Sequence, residues 1–224
     1  MNNKIFKPKA LIFDVGDILY DASQWRRWLT SELNQLGIKL SYDRLVHDWE
    51  RLLVAVYKGK AVYWDAFQDL LSSYHLNTSQ KESLKSAAQK KGQAVQVDRQ
   101  PMPGVPDTLR QLHIAGIKLI ALSDSESGEA AIRKTLNQLG IEQYFDAVVS
   151  SFAIGHVKPE PEAFDFAIQQ TGFDKSECGF VAHDIDELEG ARRHLLFAIG
   201  YNYHPDAPAD LYIEDFSELI NLSE

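Results

Sequence analysis

Ala10-Leu11-Ile12-Phe13-Asp14-Val15-Gly16-Asp17 decides how this chain is read: four apolar residues in a row stop on a carboxylate, and a glycine follows two positions later. A short apolar run bounded by a turn signal is the pattern of a buried strand. Four further runs of this kind lie at 117–122, 147–149, 179–182 and 197–199, and between them the apolar residues fall at helical spacing over 105–115, 126–139, 161–171 and 187–195. Gly116 and Gly140 follow two of these helices as left-handed caps do, and Pro161 stands where a first helical turn lacks N–H partners anyway. Strands alternating with helices predict an α/β fold, a doubly wound parallel sheet of Rossmann-like type covered by helices.

One segment does not alternate. Residues 22–96 show helical spacing with almost no strand signal, as in Trp25, Trp28, Leu29, Leu33 and Leu36 on one face, until Pro101-Met102-Pro103-Gly104 breaks the chain and restores the alternation. All four tryptophans lie in this segment. Its charge also differs: residues 20–98 carry 11 basic and 9 acidic side chains, net +2, whereas the remainder of the 224-residue chain carries net −11 of the total −9. These breaks predict an α/β core over 1–19 and 99–224 with an all-helical insert over 20–98.

Composition excludes several classes of function. A net charge of −9 with no basic cluster longer than Lys90-Lys91 or Arg192-Arg193 argues against nucleic acid as a partner. The single cysteine, Cys178, can form neither an internal disulfide nor a zinc site, which points to a reducing cytoplasm. Residues 1–9 are polar and basic with no apolar stretch of signal length behind them, and no segment approaches the about 18 apolar residues that span a bilayer. No membrane association is therefore expected. The oligomeric state is left open.

In open parallel sheets, ligands bind beyond the carboxyl ends of the strands. At those ends stand Asp14, Gly16 and Asp17 after the first run, Ser123-Asp124 after the second, Lys158 on the loop past the third, and His183-Asp184 with Asp186 and Glu187 after the fourth. Carboxylates, a hydroxyl and an ammonium converging on one sheet edge suit a phosphate together with a hard divalent cation. Each also has a plain structural reading: a carboxylate ending a strand, a turn serine, a solvated lysine, or acids at a helix start.

Together these stretches resemble the haloacid dehalogenase-like hydrolase superfamily over nearly the whole chain. The first motif is similar to 11–19 with Asp14 as nucleophile, and the second to Leu119-Ile120-Ala121-Leu122-Ser123. The third is the most specific, Lys158-Pro159-Glu160-Pro161 followed by Phe164, and the fourth runs from 180 to 186 into Glu189-Gly190-Ala191-Arg192. The third-motif pattern resembles members whose helical cap is inserted after the first motif, where the tryptophan-rich segment lies. The resemblance implies that Asp14 attacks phosphorus, that Ser123, Asp124 and Lys158 bind the phosphoryl group, and that Mg2+ is held by Asp14, the Gly16 carbonyl and the acidic loop. The substrate implied is a small phosphorylated, anionic molecule. Basic cap residues Arg26, Arg27, Arg44 and Lys58 are compatible with an anionic substrate. Arg44 has the spacing of a dehalogenase cap arginine.

Two departures qualify what is implied. Family phosphatases carry a second Asp two residues after the nucleophile, where this chain has Gly16; Asp17, one residue on, faces the other side of an extended strand and could substitute only if Gly16 bends the chain. In the fourth motif, His183 stands at the usual first acidic position, and imidazole is a poor magnesium ligand. Asp184 is therefore the expected ligand through a shifted loop, with Glu187 acting through water. The alternative is a weakened or absent metal site. Carbon–halogen hydrolysis, phosphonate cleavage and a catalytically weak binding protein of this fold remain alternatives to a phosphatase. Against the dehalogenase, those enzymes usually carry Asn after the second-motif Ser, where this chain has Asp124.

Overall fold

The structure is a computed structural model that describes residues 6–223. Part of the 1–9 segment and of the expected core at both termini thus lies outside the described residues. In chain order the elements are β1 (Ala10–Phe13), α1 (Ser23–Gln35), α2 (Tyr42–Tyr57), α3 (Tyr63–Ser73), α4 (Thr78–Val97), α5 (Val105–Ile114), β2 (Lys118–Ser123), α6 (Glu129–Gln138), β3 (Ala147–Ser150), α7 (Ser151–Ile154), α8 (Pro161–Thr171), β4 (Cys178–Ala182), α9 (Ile185–Arg193), β5 (Phe197–Tyr201) and β6 (Leu211–Ile213). The six strands form one parallel sheet in the order β3-β2-β1-β4-β5-β6. This is the doubly wound α/β architecture expected.

Alternation along β1 shows how the sheet is filled, because successive side chains point to opposite faces. Leu11 and Phe13 enter the layer made by Val105, Leu109 and Leu112 of α5, Ile132 and Leu136 of α6, and Phe216 and Leu219 near the carboxyl end. Ala10 and Ile12 enter the opposite layer, with Phe164 and Ala167 of α8 and Leu188 and Ala191 of α9. All four β1 residues are fully buried, so the uninterrupted apolar run reflects helices on both faces.

Helices α1 to α4 have a core of their own, in which Leu29, Leu33, Leu45, Trp49, Phe67 and Leu70 are buried. The aromatics of the insert fill this core: Trp25, Trp49, Tyr63, Trp64 and Phe67 pack ring against ring, and Trp25 donates its indole N–H to the Ala88 carbonyl at 3.0 Å. The two connections to the sheet run side by side, Tyr20 bridging to Pro101 and Met102 N–H bonding the Leu19 carbonyl at 2.9 Å.

Three elements differ from the sequence expectation. Helix α6 starts at Glu129, not 126, because Ser125 and Ser127 are tied down in a turn by the Ser151 and Ser150 hydroxyls. Helix α9 starts at Ile185, ahead of 187, because Asp184 caps it. The sixth strand, Leu211–Ile213, is an addition: three residues with Tyr212 half-exposed carry too little apolar signal to be read as a strand. Gly116 and Gly140 are left-handed, at φ +81° and +71°. Among the described residues no helix is long and apolar enough to cross a membrane.

Candidate active site

The strand order reverses between β1 and β4, and at such a switch point the loops diverge to leave a crevice beyond the carboxyl ends. Asp14 leaves β1 there, its backbone N–H bonded to the Val181 carbonyl of β4 at 2.9 Å. Lys158 comes in from the loop between α7 and α8, its side chain 1% exposed. Its ammonium bonds Asp14 Oδ1 directly, lies 3.1 Å from Glu187 Oε1 and reaches the Leu122 carbonyl at 3.4 Å. The Asp124 carboxylate accepts the Lys158 backbone N–H at 3.2 and 3.3 Å, so one lysine ties together the ends of β1, β2 and β4. Ser123 ends β2, buried, beside Ser150 of β3.

Two carboxylates thus contact one ammonium and a third holds the same lysine's backbone, in a largely buried site. Burial works against the Lys158 charge, but Asp14, Glu187 and Asp124 outweigh it and hold the group above the ordinary lysine range. Burial, offset in part by Lys158 and reinforced by Asp14, pushes the Asp124 carboxyl up to about 6. Burial likewise raises Glu187 well above a normal carboxyl, against the pull of Lys158. Glu187 Oε2 is buried and has no hydrogen-bond partner. A buried carboxylate oxygen with no partner, beside Asp14 and Lys158, is a donor of the type that a hard, oxygen-seeking cation such as Mg2+ takes.

The other expected residues are placed as follows. Asp184 Oδ1 accepts the N–H groups of Asp186 at 2.8 Å and Glu187 at 3.3 Å, capping α9. His183 is the neighbour turned to Asp14, with Nε2 3.9 Å from Asp14 Oδ2. Gly16 lies in a turn that bridges to Tyr20, and a Cβ on it would meet the Ala22 Cβ at 3.3 Å. The chain does bend there: Asp17 is left-handed at φ +56°, and its carboxylate accepts Ala22 N–H and the Arg26 guanidinium, both at 2.8 Å. Asp17 is therefore occupied with the first helix of the insert. Arg44 is 65% exposed and pairs with Asp48 one turn along α2.

Two supports escaped sequence reading. Asn202, left-handed after β5, donates to the Asp17 carbonyl at 2.9 Å, and His204 N–H bonds the His183 carbonyl at 3.2 Å, so the β5 loop buttresses the loops of β1 and β4. An Asn just past an apolar run was the available signal. Gly190 is the other: a Cβ there would sit 2.4 Å from the Pro159 Cβ, so only glycine lets α9 pack against the residue after Lys158.

The sequence profile of the haloacid dehalogenase-like hydrolases matches residues 8–194. The chain belongs to this family. It is a haloacid dehalogenase-like hydrolase, similar over 96% of its length to the glyceraldehyde 3-phosphate phosphatase of Methanocaldococcus jannaschii, at 26% identity and covering 96% of that enzyme. It is also 32% identical to the (S)-2-haloacid dehalogenase of Pseudomonas sp. strain YL, over 41% of this chain and 39% of that one. A crystal structure of a dehalogenase superposes with a TM-score of 0.70 at 21% identity, covering 96% of both chains, which shows that the fold is shared.

Proposed function

We propose that this hydrolase is a magnesium-dependent phosphatase of a small phosphorylated metabolite, acting through an aspartyl phosphate on Asp14. The observation that carries the reading is the carboxylate surplus: Asp14, Asp124 and Glu187 around the single Lys158, with Glu187 Oε2 buried and unpartnered. A nucleophile displacing halide from carbon has no use for a cation site of that kind. The phosphatase relative of matching length supports the same reading.

Asp14, the Gly16 carbonyl, Asp184 and Glu187 would hold Mg2+, which when bound supplies charge stabilisation to the phosphoryl oxygens. Lys158 holds Asp14 Oδ1 and leaves Oδ2 to attack phosphorus as the bond to the leaving oxygen breaks. Ser123, Asp124 and Lys158 form the phosphoryl cradle, with the Lys158 ammonium offsetting charge on nucleophile and phosphate together. Water then attacks phosphorus, releasing phosphate and restoring the Asp14 carboxylate. Position 16 offers no proton to the leaving group, and Asp17 is engaged with Arg26, so leaving oxygens that need no protonation are the preferred ones. General acids typically contribute roughly 10²- to 10⁴-fold, which sets the handicap on alkyl esters.

The proposal includes the division into a core of 1–19 and 99–224 and a cap of 20–98. It also includes a reducing cytoplasm, with Cys178 buried as the one thiol, and no nucleic-acid or membrane partner. A second reading, carbon–halogen hydrolysis, is favoured by Gly16, since that chemistry needs no acid at this position. It is weakened by Arg44, which is 65% exposed and paired with Asp48 within its own helix. Purified protein given p-nitrophenyl phosphate and a metabolite-phosphate panel, with and without Mg2+, and then L-2-haloacids, separates the two. Phosphate release that needs Mg2+ and is lost in Asp14→Asn is expected. Halide release without metal, or phosphate turnover surviving Asp14→Asn, would sink the phosphatase reading.

A further inference from the structure

The four basic cap residues that sequence reading set aside for an anionic substrate are all engaged in this structure, and in two different ways. Arg27 bonds Ser23 Oγ within α1 at 2.8 Å, and Arg44 bonds Asp48 within α2. Arg26 and Lys58 instead leave the cap and reach carboxylates of the core. Arg26 takes Asp17 Oδ2 at 2.8 Å, three residues after the nucleophile, and Lys58 takes Glu160 Oε1, two residues after the catalytic lysine. Both cations are mostly buried, 21% and 19% exposed, so bulk water screens these pairs less than surface ones.

We propose that Lys58 and Arg26 are positioning residues, a two-point ionic clasp that holds the cap down on the loops carrying Lys158 and Asp14. Glu160 is well placed to transmit this hold. Its N–H bonds the Val157 carbonyl at 2.8 Å, closing a turn around Lys158, while its other carboxylate oxygen bonds His156 Nδ1 at 3.1 Å. The Lys58 end of α2 also docks sterically, since a Cβ on Gly59 would lie 3.4 Å from the Phe152 carbonyl of α7. At the other point, Arg26 is held from behind by Glu50 of α2 at 3.3 Å, and the Asp17 turn is anchored to the core by Asn202. One pair thus ties the cap to the turn after Asp14 and the other to the loop that carries Lys158. With both pairs formed, Asp14 and Lys158 are 7% and 6% exposed, and in this proposal substrate enters when the clasp releases.

Spin labels on Lys39→Cys in the cap and Asp107→Cys in the core report cap-to-core distance, and the buried Cys178 leaves the labelling clean. Lys58→Ala and Arg26→Ala are each expected to raise the open population about two- to fivefold, the range that single partly exposed ion pairs support. Lys58→Arg should stay closed, and the reversed pair Lys58→Glu with Glu160→Lys should close again relative to Lys58→Glu alone. In parallel, Lys58→Ala should lower kcat for p-nitrophenyl phosphate by a similar factor, with Lys58→Arg rescuing it. Distances unchanged in both alanine variants, or a reversed pair no more closed than Lys58→Glu, would overturn the clasp. Only the kinetic arm rests on the phosphatase reading: if the unmodified enzyme hydrolyses no phosphate ester, that reading falls while the distances still decide the clasp.

Discussion

Gly16 is where chemistry and packing meet most closely at the scale of single residues. Its φ is not left-handed, so a side chain is admissible there once Ala22 gives by a few tenths of an ångström. Gly16→Asp is expected to supply the missing proton donor and to raise kcat on alkyl phosphates by about 10²-fold, with little change on p-nitrophenyl phosphate, whose leaving group needs no proton. Steady-state kinetics on the two ester types check this; equal effects on both would contradict it. Asp14, Ser123 and Asp124 could be singled out from sequence because they stand at or just past a strand end, Lys158 because it opens the Pro-stiffened stretch 158–161, and Glu187 because it belongs to the acidic run after β4. Asp184 shows why the rest was harder: an Asp before a helix is as good an N-cap as a ligand, and only geometry reveals that its Oδ1 serves the helix. Arg44 and Asp17, weighed by spacing alone, are each paired in the structure with a partner that spacing does not show, Asp48 and Arg26.

Between elements, the contact of α9 with the Lys158 loop depends on one missing Cβ. Gly190→Ala would drive a methyl into Pro159, and overpacking of this kind costs about 1–3 kcal/mol. Denaturant unfolding should show that loss, accompanied by a fall in kcat as Lys158 is displaced; an unchanged midpoint would contradict the packing argument. The entry to β2 depends on Asp146, whose carboxylate accepts Lys118 Nζ at 2.6 Å and Leu119 N–H at 2.9 Å. Partial burial opposes ionisation, but these two bonds outweigh it and hold the Asp146 carboxyl below the usual range. A depressed folded-state pKa gives stability that is present above the unfolded value and lost as pH falls through the folded one. Asp146→Asn should therefore cost about 1 kcal/mol at neutral pH and almost nothing once the solution is acid enough to protonate the native carboxyl, as unfolding at several pH values will show. A penalty independent of pH would be evidence against it. Five strands were legible because burial on both faces leaves uninterrupted apolar runs, whereas β6 at the sheet edge, with Tyr212 half-exposed, lacks that imprint.

Across the whole molecule, the division of charge gains a structural meaning. The insert carries net +2 and the remainder net −11, and two of the insert's cations are placed on core carboxylates beside the catalytic loops. The tryptophans belong to the core of helices α1 to α4, and two ion pairs and the close approach of Gly59 to Phe152 are among the ties from these helices to the rest of the chain. Beyond the carboxyl ends of β1, β2 and β4 lies the buried Lys158 with its carboxylate partners Asp14, Glu187 and Asp124, the feature on which the proposed chemistry depends. The most direct test is to mix the enzyme with p-nitrophenyl phosphate and Mg2+, quench in acid within a single turnover, and weigh the peptides. The account predicts a phosphoryl increment on the peptide containing Asp14, absent when Mg2+ is omitted and absent in Asp14→Asn. Phosphate released with no increment on that peptide, or an increment that appears elsewhere, would contradict it.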